Sequence, residues 1–253
     1  MVRGFYTVGS GMLTQQRSLN VISNNIANTN TTGFKADTPL TTTFGKMYLS
    51  RVDGITDMST DANVQGLSDI TMIRTMNGKY TEFEAGTFDN TQRVLDFAIT
   101  TEEGFFAIEL PNGTIQYTRN GSFDIDAQGY LVAEKGYVLD DSGARIFLGT
   151  DKINADEKGN IIIDQERVAK IGVYTFDNYA ALEKTNDTMF TGEGARLLEN
   201  PSIQWQYLET SNVNVAKEMA AAISAERNLQ SCSEVLKMYD SILEQAVTQV
   251  GKV

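Results

Sequence analysis

The sequence predicts an α+β protein: paired, coiled-coil-like helices at the N- and C-termini and a central, mostly antiparallel all-β domain. Three observations carry this reading. Near the N-terminus Phe5, Val8, Met12, Leu19, Ile22 and Ile26 are spaced three and four apart, and only Gln15 interrupts the seam. Near the C-terminus Val215, Ala222, Ala225, Leu229, Cys232, Leu236, Tyr239, Leu243, Ala246 and Val250 repeat the pattern, broken only by Glu218. Both are a/d patterns, the mark of helices that pack lengthwise on partner helices. Between them the apolar period becomes two, as in half-buried strands. Such a chain is built to be joined to other copies through its ends.

The first helix is expected to start near Phe5 and to end within the Asn- and Thr-rich run Asn24–Gly33. Asn and Gly tolerate the left-handed conformation that closes a helix, and Thr is a poor helix former. A seam of about 22 residues makes a rod of roughly 33 Å. Residues 34–70 read as an extended connector with one or two strands, Thr-rich at 38–43 and with a polar loop from Asp53 to Gly66.

From about 71 to 210 a β domain follows. Phe105–Leu110, the turn pair Asn112-Gly113 and Thr114–Arg119 read as a hairpin. Asn120-Gly121 offers another turn before Ser122–Ile125, and glycines at 113, 121, 129, 136 and 143 suggest a regular beat of turns. Asp126-Ala127-Gln128-Gly129 is echoed by Asp156-Glu157-Lys158-Gly159, each before an apolar run. Ser211, Asn212 and Asn214 are all plausible caps for the last helix, with Glu218 suitably placed in its first turns. That helix spans about 36 residues, roughly 54 Å, and its alanines at 220–222 and 225 let a neighbouring backbone come close. The domain plan is therefore residues 1–33 with 211–253 as a discontinuous helical core, 34–70 as connector and 71–210 as β domain.

A net charge of −12 and a pI near 4.5 argue against nucleic acid as partner, because phosphate neutralisation needs clustered Lys and Arg. No apolar run is long enough to insert across a bilayer. The N-terminus lacks the apolar core and cleavage site of a secretory signal peptide, so departure from the cytoplasm needs another route. The single cysteine excludes an internal disulfide and a zinc knuckle. There is no histidine, which removes the commonest general base and metal ligand together.

Each remaining chemical motif has a plainer reading. Asp124–Gly129 begins like a calcium loop, but Lys135 stands where a bidentate Glu belongs, so a β-turn is favoured. Gly192-Glu193-Gly194 lacks the third glycine of a dinucleotide loop, and Gly9-Ser10-Gly11 lacks the spacing of a nucleophile elbow. Cys232 sits on a seam with no base to activate it. Glu102-Glu103 and Asp140-Asp141 are adjacent pairs, which on a strand point to opposite faces. Trp205, Tyr207, Phe105 and Phe106 resemble a sugar-stacking platform, although packing is the default for strand aromatics. No catalytic residue, cofactor site or metal site is assigned, and no enzyme activity is expected.

The residues resemble one family closely. Ser10-Gly11-Met12, Gln15-Gln16 and Val21–Lys35 are similar to the amino-terminal motif of bacterial flagellar rod and hook proteins. Leu95–Ile99, Gly104–Phe106, Tyr117–Phe123 and Asp126–Leu131 look like its middle block, and Leu208–Val215 with Glu218-Met219 like its tail. There are departures. The family often has an aromatic shortly after the Arg of its last helix, where Arg227 here runs into Asn228-Leu229-Gln230. Its usual Asp-Leu-Ala-Ile is Asp96-Phe97-Ala98-Ile99, and the Gly-x-Gly that follows is replaced by Thr101–Gly104. The resemblance implies a structural subunit of the flagellar basal-body rod, exported by the flagellar type III apparatus with an uncleaved signal. It would assemble with other copies and with other rod and hook subunits into the helical axial tube from motor to hook. Its expected assembly interface is Phe5, Val8, Met12, Leu19, Ile22, Asn25, Ile26 and Asn28 on the first helix, and Val215, Ala222, Leu229, Leu236, Tyr239 and Leu243 on the second. The alternative is a cell-surface carbohydrate- or protein-binding β module on a helical stalk.

Overall fold

The computed structural model describes residues 2–250 except 45–46, 54–62, 71–72, 102 and 135. In chain order a first helix, α1 (Val2–Ala27), and a last helix, α2 (Val215–Val250), flank a β region whose registered strand pairs are all antiparallel. The chain forms two compact units, one of residues 1–23, 38–80 and 219–253, the other of residues 24–37 and 81–218.

Both helices stop where side-chain chemistry stops them. At the end of α1 the Asn28 Nδ2 and backbone N–H both donate to the Asn24 carbonyl, each at 3.1 Å. The Thr29 hydroxyl donates to the Ile26 carbonyl, turning the chain out of the helix. At the start of α2 the cap is Asn214, whose Oδ1 accepts from the Lys217 N–H at 3.1 Å. Asn212 is needed elsewhere, as described below.

In the first unit, Asp37–Phe44 pairs with Ile73–Thr81, and Met47–Asp53 pairs with Asn63–Ile70 with a register shift after Leu49. The stretch expected to carry one or two strands therefore carries three. The expected polar loop falls largely on 54–62, outside the described residues, and Asn63–Gly66 belongs to a strand.

In the second unit the main sheet runs, in spatial order, Glu183–Lys184, Met189–Thr191, Ile115–Thr118, Phe105–Glu109, Gly136–Val138, Leu131–Ala133 and Asp124–Ile125. Val173–Thr175 also pairs with Phe105–Glu109 and with Arg196–Leu197. The hairpin read from the sequence is present: Glu109 faces Ile115, and the Leu110 N–H donates to the Thr114 carbonyl. Phe106, Ile108, Leu131 and Val138 point to one face of the sheet and join Phe97, Ile99, Phe123, Ile161, Ile171 and Ile203 in the principal core. Phe105, Ala107, Tyr117 and Leu139 point to the other face, where Phe176, Phe190, Phe83 and Tyr179 cover them.

The glycine beat divides into two kinds. Gly113, Gly129 and Gly143 have positive φ in turns, whereas Gly121 and Gly136 lie where another chain segment leaves no room for a Cβ. The Asp-Gly echo has three members. Asp126 accepts the N–H groups of Gln128 and Tyr130, Asp140 those of Ser142 and Ala144, and Asp156 those of Lys158 and Asn160. Each is an Asx turn closed three residues later by a glycine.

Candidate assembly interface and the junction of the motifs

The sequence blocks singled out above, far apart in the chain, meet at one buried place in the second unit. Asn25 at the end of α1 exchanges two hydrogen bonds with the Asp37 backbone, Nδ2 to the carbonyl at 2.9 Å and the N–H to Oδ1 at 3.0 Å. This staples the loop 28–36 into a fixed path. Gly33 adopts φ +68°, and a Cβ there would collide with the backbone of Arg119 and Asn120, so only glycine fits. Its N–H donates to the Glu209 carbonyl at 2.8 Å. Beside it the Thr32 hydroxyl donates to Asn120 Oδ1 at 2.8 Å.

Lys35 then enters the interior. Its Nζ donates to Glu209 Oε1 and to the Glu84 carbonyl, both at 2.7 Å. Glu209 also accepts from the Gly86 N–H at 3.0 Å and from Arg119 Nη1 at 3.4 Å. The side chains of Lys35, Arg119 and Glu209 are each 0% exposed. Burial drives the Lys35 ammonium below its usual pKa, with Glu209 acting to raise it and Arg119 to lower it. The Arg119 guanidinium stands 5.2 Å from the centre of the Phe105 ring. Next door Lys184 donates to the Lys35 carbonyl at 2.8 Å, pairs with Asp37 at 3.4 Å and stands over Phe34. Asn212 completes the closure, accepting from the Ala36 N–H and donating to the Glu82 carbonyl, both at 2.8 Å. Sequence reading did not find this cluster. The only local sign was that charged Lys35 and Arg119 stand inside otherwise apolar or small-residue blocks.

The expected interface residues divide among several environments. On α1, Ile22 and Asn25 are buried, Val8, Met12, Leu19, Ile26 and Asn28 are half-buried, and Phe5 is exposed. The most buried line of α1 is Thr14, Ser18, Ile22 and Asn25, a row of mostly small polar residues beside the apolar seam. Asn25 and Asn28 act inside the chain, holding the helix end and the loop after it. On α2, Val215, Ala222, Leu229, Leu236 and Tyr239 are half-buried and Leu243 is exposed. In the first unit Tyr239 lies against Gly4, where any Cβ would meet its hydroxyl. Gly4 and Tyr239 each lie about 35 Å along their helices from Ala27 and Val215. Other large apolar side chains of α2 are open to solvent: Ile223 is 53% exposed, Met238 59% and Ile242 52%.

The other motifs have structural duties. Phe105 and Phe106 are fully buried, so they offer no stacking surface, and Trp205 Nε1 donates to the Val94 carbonyl at 2.7 Å. The carboxylates of Asp126 and Asp140 hold turns. Glu102 and Lys135 lie outside the described residues. Among the described residues no helix is long and apolar enough to cross a membrane.

Known proteins are similar in sequence to this chain from end to end. Residues 5–35 match the family model of flagella basal body rod proteins, residues 98–175 that of the flagellar hook protein FlgE/F/G D1 domain, and residues 204–249 that of the flagellar basal body rod FlgEFG protein C-terminal region. The flagellar basal-body rod protein FlgG of Bacillus subtilis is 31% identical, with 98% of each chain aligned. The chain belongs to the flagellar basal-body rod protein family. It is a structural protein of the flagellar rod. FlgF of Caulobacter vibrioides is 28% identical and the hook-basal body complex protein FlhO of B. subtilis 25%, each aligned over the whole of both chains. The three matched regions of this rod protein contain the segments that converge on Lys35, Arg119 and Glu209.

Proposed function

We propose that this rod protein assembles through its terminal helices, α1 and α2 pairing lengthwise into an inner layer and residues 71–210 facing outward. In this reading 1–33 and 211–253 act together as the axial core, joined to the β domain by 34–70. The observation that carries it is that α2, beside its half-buried seam, keeps large apolar side chains in water. Ala225 is buried and Ala222, Leu229, Leu236 and Tyr239 are half-buried, while Ile223, Met238 and Ile242 stay in water. A helix that is half-covered on its seam and apolar beyond it gains from a second neighbour, on this reading another copy. Repeating such a heterologous contact generates an open helical tube rather than a closed dimer. Gly4 against Tyr239 supports the intrachain pairing. The half-buried positions of α1, Val8, Met12, Leu19 and Ile26, supply the rest of the seam.

The partners on this reading are further copies of the chain and adjoining rod and hook subunits, with torque passing from motor to hook through the packed helices. The protein reaches the basal body by the flagellar type III export apparatus, so it acts outside the cytoplasm. Its role is mechanical and not catalytic. The test is a strain lacking the gene, complemented with wild type or with Ile223→Asp/Ile242→Asp. Both substitutions fall on exposed positions, so the purified variant should keep its circular dichroism and melting temperature. Cells carrying it should export the protein yet build no complete rod. Normal swimming by those cells would sink the proposal.

A further inference from the structure

Of the four aromatics that resemble a stacking platform in the sequence, two are not consumed by the core. Trp205 and Tyr207 are half-buried and line a cleft of about 510 Å³ in the second unit. Small-molecule sites take about 300–1,000 Å³, so the cleft is of ligand size. Asp156 and Glu157, from the third Asp-Gly turn, line it too. Backbone bonds tie its walls together: the Ile203 N–H donates to the Glu157 carbonyl at 2.9 Å and the Thr100 N–H to the Ser202 carbonyl at 2.8 Å. The bond from Trp205 Nε1 to the Val94 carbonyl fixes the indole ring. Between the two aromatics Gln206 holds φ +65°, a left-handed backbone that glutamine rarely adopts. There the chain leaves its pairing with Phe97–Ile99 and takes up pairing with Phe88–Asn90. Such strain persists only where the surroundings over-determine it, and it clusters at ligand sites.

We propose that this cleft binds an uncharged saccharide of one or two rings. The lining selects that class. Trp205 and Tyr207 offer ring surface to the C–H face of a sugar. The hydrogen-bonding groups around them are mixed in kind: the Glu157 carboxylate accepts, the Gln204 amide donates and accepts, and the Tyr207 hydroxyl does either. None of these three side chains has a hydrogen-bond partner among the described residues. Sugar hydroxyls also donate and accept, so they match such a set. An ammonium ion would leave the Gln204 donor unmatched, and an apolar ligand would leave all three groups without partners. The field excludes anions, because Asp156 and Glu157 line the cleft and no Lys or Arg does. The Asp156 carboxylate is itself taken by Asn160 and by the Lys158 N–H, which leaves Glu157 to bind the ligand. The cleft belongs wholly to the second unit, so the proposal goes beyond assembly through the helices and does not depend on it.

Trp205 is the only tryptophan of the chain, so its emission reads this cleft alone. The experiment titrates the purified full-length protein with cellobiose, maltose and N,N′-diacetylchitobiose, with digalacturonic acid and choline as anionic and cationic controls. At least one neutral disaccharide should change the emission saturably, with half-saturation at about 1 mM or below, and neither control should. Tyr207→Ala should raise the half-saturating concentration about tenfold at an unchanged melting temperature. Glu157→Ala and Gln204→Ala change exposed residues, so they decide the matter if the tyrosine variant folds poorly, and each should weaken binding several-fold. No saturable change with any neutral sugar overturns the proposal. So does saturation by choline or digalacturonic acid at the same concentrations, or wild-type titration of the Glu157 and Gln204 variants.

Discussion

Glu209 is the residue on which the second unit turns. Its carboxylate joins Lys35 from the first motif, Arg119 from the middle and the Gly86 backbone. Glu209→Ala leaves two cations buried without it, and such removals cost about 3–5 kcal/mol. Denaturant unfolding of the variant should show that loss, and Lys35→Met/Glu209→Leu should recover part of it. A loss below 1 kcal/mol in the single variant would show that water replaces the carboxylate. Gly33→Ala combines a left-handed backbone with a backbone collision, so a loss of about 2 kcal/mol or more is expected from the same measurement. Asp156 gives a pH test. Burial acts to raise its carboxyl, but the Asn160 side chain and the N–H groups of Asn160 and Lys158 outweigh that and hold it below its ordinary 3.8. A carboxylate depressed in the folded state stabilises fully above its unfolded pKa, and that contribution is lost as pH falls through the folded value. Asp156→Asn keeps the turn acceptor without the titration. Its melting temperature should therefore fall less steeply than the wild type's below about pH 3.8.

At the scale of elements the long helix is the informative one. Ala225 is the last buried residue among those described, so the rest of α2 is held by a half-covered seam alone. Ordering each residue costs roughly 1–2 kcal/mol, which such a seam offsets only weakly in a free chain. Amides beyond residue 226 should exchange within minutes in the monomer and be protected in the assembled rod. Strong protection in the monomer would contradict this. Leu236→Asp places a carboxylate on the seam, a change that costs several kcal/mol once the helix is packed. Cells carrying it should make the protein but fail to swim, whereas Lys237→Asp, one residue off the seam and exposed, should swim far better.

For the whole molecule the net charge of −12 opposes assembly of identical copies. Screening acts over about 10 Å at 0.1 M salt, so raising ionic strength should promote self-association of the purified protein. Sedimentation at low and high salt checks this, and dissociation by salt would mean that cross-copy ion pairs dominate instead. The same acidity opposes aggregation through the exposed apolar side chains of α2.

The sequence by itself determined the helices, the hairpin and the family. Apolar spacing of three and four marked α2 from Val215 to Val250, since a helix repeats its faces every 3.6 residues wherever it lies. Asn112-Gly113 marked the Phe105–Thr118 hairpin because turn chemistry is local. Two of the three Asp-Gly turns were legible for the same reason, and the third, at Asp140, differed only in being read as an acidic pair. Tertiary structure alone decided the rest. Thr14 and Ser18 carry no apolar signal, yet they lie on the most buried line of α1, because small residues let a neighbour come close. Lys35 and Glu209 are 174 residues apart, and nothing in either neighbourhood announces the other. A buried ion is tolerable only beside its partner, so their pairing became visible only when the fold brought the N-terminal motif, the middle block and the tail to one point.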